Sequence, residues 1–66
     1  MIGVYVFAAY GDGFPLIKGE LLQIPREALT EGNEFKIRLG AVTHYLKTVH
    51  VHCFGRFHFV LAEVQP

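Results

Sequence analysis

Val49-His50-Val51-His52-Cys53-Phe54-Gly55-Arg56-Phe57-His58-Phe59 is the stretch whose reading decides the fold. Histidine alternates with valine before the glycine and with phenylalanine after it. Alternation with a period of two marks a strand with two different faces. A glycine between two such runs marks a hairpin. Register then decides which side chains meet, because a slip of one residue turns every side chain to the other face. A two-residue loop at Phe54-Gly55 mixes polar and apolar faces. A three-residue loop, Phe54-Gly55-Arg56, pairs Cys53 with Phe57, Val51 with Phe59, His52 with His58 and His50 with Val60. That register segregates the faces and is the one expected, although glycine then sits in the middle of the loop instead of its usual last position.

In this register His50, His52 and His58 share a face. Directly opposed Cβ atoms lie about 4.5–5.5 Å apart. Neutral imidazoles so spaced can converge on zinc or another transition metal, with Zn–N bonds of about 2.0–2.1 Å. His44 or a carboxylate would then complete the set. No carboxylate stands nearby in sequence to orient the rings, as metal-bound histidines usually require. Histidines on a half-exposed strand more often meet water or backbone carbonyls. A contact that loosens in acid near about pH 6 is a third use of the same face. Cys53 falls with Val49 and Val51 and reads as a small buried hydrophobe rather than a nucleophile.

Outward from the hairpin, residues 2–10 read as a strand, with Ile2, Val4, Val6 and Ala8 on one face and Tyr5, Phe7 and Ala9 on the other. Both faces are apolar, so both call for cover. Gly11-Asp12-Gly13 is a turn. Residues 16–24 read as a second strand, with a bulge at Gly19. Pro25 opens one short helical turn near residues 25–30. Residues 34–40 form a half-buried strand, with Phe35, Ile37 and Leu39 opposed to Glu34, Lys36 and Arg38. Ala41 to His44 reads as a connection. Strands four and five follow at 45–53 and 57–64. The expected fold is all-β, mainly antiparallel: one domain over residues 1–66, a small five-stranded barrel or roll with a single helical turn.

Composition narrows the function. Of 66 residues, 52% are hydrophobic and 18% charged, with formal net charge +0. A domain this short buries only about 60% of the surface its unfolded chain exposes. Apolar side chains in this proportion exceed what one small core can cover, which calls for a partner. Zero net charge gives no general support to nucleic-acid binding. The single cysteine allows no internal disulfide and fits a reducing compartment. No stretch reaches the about 20 apolar residues a membrane helix needs. A cytoplasmic location is expected.

Catalytic signatures are missing. There is no serine and no phosphate-binding glycine loop, and no pair of carboxylates suggests acid–base work. The expectation is therefore a non-enzymatic interaction module, meeting a copy of itself or a larger protein through Val4, Tyr5, Phe7, Tyr10 and Phe54. The first alternative is single-stranded nucleic-acid binding by Lys36, Arg38, Tyr45, Lys47 and Arg56, basic groups around an aromatic platform. The second is metal binding by His50, His52 and His58.

Overall fold

The computed structural model describes all residues from Met1 to Pro66. Five strands form one sheet: β1 (Ile2–Ala9), β2 (Pro15–Ile24), β3 (Glu34–Leu39), β4 (Val42–Phe54) and β5 (Phe57–Val64). A 3-10 turn, Arg26–Leu29, links β2 to β3 and is the only helical segment. The spatial order is β2-β1-β5-β4-β3. Two antiparallel units, the β1–β2 hairpin and the β3–β4–β5 meander, are joined by a parallel pairing of β1 with β5. The first and last strands of the chain thus lie side by side at the centre.

The sheet curls into a half-barrel around a single core. Val4, Val6 and Ala8 of β1 and Val60, Ala62 and Val64 of β5 line its floor, with Ile17, Ile24, Phe35, Ile37 and Leu46 closing in from the flanks. The 3-10 turn plugs one side with Ala28, and the buried Thr48 hydroxyl donates to the Ala28 carbonyl oxygen at 2.7 Å. That bond satisfies the one polar side chain in the core and fastens the turn to β4. The barrel does not close. β2 and β3 each pair on one side only, so the edges that closure would have removed are still present.

Two local features shape the sheet. Opposite the Val6–Phe7 step, Gly19 is the extra residue of a bulge. Its φ is +82°, and a Cβ there would lie 2.8 Å from the Phe7 ring, so the ring rests on the glycine. In β4 a second bulge at Val49 shifts the register. Residues 42–47 of this long strand pair with β3 and residues 46–54 with β5, and the bulge falls just past the overlap, where β4 leaves β3.

The hairpin register differs from the expected one. Phe54 pairs with Phe57, Cys53 with His58, His52 with Phe59, Val51 with Val60 and His50 with Leu61. The loop is Gly55-Arg56, with φ +61° at Gly55 and no positive φ at Arg56. That is the pattern of a type II′ turn, which places glycine first and matches the twist of the flanking strands. The β3–β4 connection repeats it at Gly40-Ala41, so the segment after Gly40 is a tight hairpin and strand instead of the expected connection.

Candidate interaction surface

The new register sorts the side chains of the convex face into rows. Leu21, Tyr5, Phe59 and His52 are mutual cross-strand neighbours on β2, β1, β5 and β4. The next row runs from Lys18 through Phe7 and Leu61 to His50. Phe57 and Phe54 continue the surface toward the β4–β5 turn. Tyr5 stacks on Phe59 with ring centroids 5.4 Å apart and tilts against Phe57 at 6.1 Å. His52 lies 6.4 Å from Phe59. The rings brace one another, and aromatic pairs of this kind add about 0.5–1.5 kcal/mol beyond area burial.

This cluster is not core. Phe7, Leu21, Phe54, Phe57 and Leu61 are all exposed, Leu21 at 58% and Phe54 at 70%. No strand position in these rows is a carboxylate; the Glu31 carboxylate meets the rows only at their edge, beside His50, and Glu34 and Glu63 stand in the row beyond, on either side of Lys47. Strand spacing of about 4.8 Å and a same-face repeat of about 6.8 Å give a patch of roughly 400 Å² over four strands and three rows. That is about the size of the largest apolar patch a monomer normally carries, and such patches commonly mark contact sites. It is roughly a tenth of the total accessible surface of 4529 Å².

Of the contact residues expected from the sequence, Tyr5, Phe7 and Phe54 lie on this face. Val4 does not: it is fully buried in the core and has no surface to offer a partner. Tyr10 sits beyond the end of β1, in the turn where its amide donates to the Phe14 carbonyl oxygen at 2.9 Å. The Asp12 carboxylate accepts from the Phe14 amide at 3.0 Å in the same turn. Leu21, Phe57, Phe59 and Leu61 share the face and are not among the residues expected from the sequence. Reading Gly55-Arg56 as a II′ turn would have placed the last three with His50 and His52.

The three histidines do not converge. His50 and His52 project from the convex face, whereas His58 pairs with Cys53 and projects from the other. The shorter loop is the physical reason, since it moves every side chain of β5 across the sheet relative to the expected register. No group of three His, Cys, Asp or Glu side chains gathers closely enough to hold a metal ion. His50 instead has its Nδ1 3.4 Å from a Glu31 carboxylate oxygen, both side chains being 60% exposed. Such an exposed pair contributes little. Cys53, expected to be buried, is exposed. Its part of the hairpin extends past the core.

Lys36, Arg38, Tyr45 and Lys47 share the outward face of the β3–β4 hairpin, in the register Glu34–Lys47, Lys36–Tyr45 and Arg38–Thr43. Arg56 is at the opposite end of β4, in the Gly55-Arg56 turn, and does not join them. Lys47 lies directly between Glu34 and Glu63 on its two neighbouring strands, so its charge is locally offset. No helix is long and apolar enough to cross a membrane. Comparison with protein-family models, curated proteins and solved structures yields no match in any of the three.

Proposed function

We propose that this chain is a protein-interaction module whose convex aromatic face binds a second copy of itself. The observation that carries the reading is the continuous, carboxylate-free row of Leu21, Tyr5, Phe59 and His52, flanked by Phe7, Leu61, Phe57 and Phe54. A two-fold dimer apposes identical patches, so the patch must not repel itself. This one carries Lys18 at one margin and, beside His50, the Glu31 carboxylate at the other, so its two fixed charges are of opposite sign.

Magnitude fixes the expected strength. Two patches of roughly 400 Å² bury about 800 Å² in all, below the about 1,200 Å² at which stable interfaces begin. The association is therefore weak and reversible, with Kd on the order of 10–500 µM. Static light scattering over about 5 µM to 1 mM tests this. The weight-average mass should climb from 7.4 kDa toward twice that value. A constant monomer mass across the range would refute self-association and leave a larger protein as the candidate partner of the face. Nucleic-acid binding ranks lower, because Lys47 is flanked by carboxylates and Arg56 stands apart from the other cations.

A further inference from the structure

We infer that the open seam between β2 and β3 receives a short acidic segment of another protein as an added strand. This site is separate from the convex face. Each of these strands pairs on one side only, β2 with β1 and β3 with β4. Their free edges carry backbone donors and acceptors that an extended chain can bond. Between them lies an open groove of about 480 Å³, lined by Leu22 and Gln23 from one edge, Lys36, Ile37 and Arg38 from the other, and Thr43 beside them. Three successive residues of β3 line it, so a strand laid beside them presents about three residues to the groove.

Side-chain alternation specifies those three. Lys36 and Arg38 point to one side of β3 and the buried Ile37 to the other. No carboxylate lines the groove, and neither cation is in an ion pair. The Arg38 Nε donates to the Gly40 carbonyl oxygen at 3.2 Å, which steadies the guanidinium and leaves its other N–H groups free. A strand laid along β3 thus meets cation, apolar, cation, and its complement is acidic, apolar, acidic. A second copy pairing β3 with β3 about Ile37, the residue at the middle of the groove, would set Lys36 against Arg38. Nor does the chain contain two carboxylates spaced two residues apart: they stand at 12, 20, 27, 31, 34 and 63. The occupant is therefore a different chain. Single-stranded nucleic acid fits less well, since no aromatic ring lines the groove for bases to stack on.

Fluorescence anisotropy with a labelled peptide centred on glutamate–valine–glutamate tests the inference on the intact chain. It should bind with Kd on the order of 10–500 µM, as suits a short added strand. Binding should weaken at least about tenfold when glutamate is replaced by lysine or the backbone amides of the valine and both glutamates are N-methylated. Lys36→Glu/Arg38→Glu should reverse the preference between the two peptides, and Leu61→Gln on the convex face should leave binding unchanged. No binding at about millimolar protein would overturn the inference. So would affinity indifferent to N-methylation or to the Lys36→Glu/Arg38→Glu exchange, or tighter binding of an oligothymidylate of equal charge.

Discussion

The two faces of β1 and β5 are almost equally apolar, yet they do opposite things. The concave face carries Val4, Val6, Ala8, Val60, Ala62 and Val64, all buried. The convex face carries Tyr5, Phe7, Phe57, Phe59 and Leu61, none of them buried. The difference is side-chain size. A sheet curled this tightly leaves little room inside its curve, and valine and alanine fill it at normal packing density. Rings at these β1 and β5 positions would overfill the floor; the one buried ring, Phe35, comes from the flanking strand β3. Outside the curve the side chains splay, and the rings fit by stacking on one another. On β1 and β5 the valines and alanines line the core and the rings and Leu61 lie on the convex face, while the larger core residues Ile17, Ile24, Phe35, Ile37 and Leu46 come from the flanking strands.

Adjacent substitutions on β5 should break that contrast most sharply. Val60→Asp places a carboxylate in the centre of the core and should cost more than about 4 kcal/mol, enough to unfold so small a domain. Loss of the strand signal in circular dichroism would show it. Leu61→Asp, one residue along, should leave the same spectrum intact while abolishing self-association in light scattering. Thr48→Val keeps the volume of the core but strips the hydroxyl from the Ala28 carbonyl oxygen. It should cost about 1–3 kcal/mol in urea unfolding, because the partner oxygen stays buried. Gly19→Ala tests the junction between the two faces. Its strained φ and the clash with the Phe7 ring should cost about 1–3 kcal/mol. By displacing that ring it should also weaken self-association. The smallest effect belongs to Glu31→Gln, which removes the exposed partner of His50 and should change stability by less than about 1 kcal/mol.

The strands themselves were legible because alternation and glycine signals coincide. The bulge at Gly19, the turn at Asp12 and the β3 pattern were all readable, since each rests on local chemistry. The β4–β5 register was not. It hangs on which two residues make the loop, and face segregation by polarity pointed to the wrong answer. His52 was expected opposite His58, but it faces Phe59, because the convex face mixes rings and imidazoles. Polarity cannot sort a strand whose two faces are both apolar; size and the demand of a II′ turn for glycine in first place can. The parallel β1–β5 pairing and the unclosed seam depend on long-range curvature, which no local pattern encodes.

Dilution followed by amide nuclear magnetic resonance tests the division of the two faces most directly. Between about 1 mM and 10 µM, the range set by the expected affinity, the amides of Tyr5, Phe7, Leu21, Phe59 and Leu61 should shift progressively, while those around Ile24, Ala28 and Phe35 stay fixed. Spectra that superimpose at every concentration, or shifts centred on the β3 edge instead, would contradict the assignment of the convex face as the contact surface.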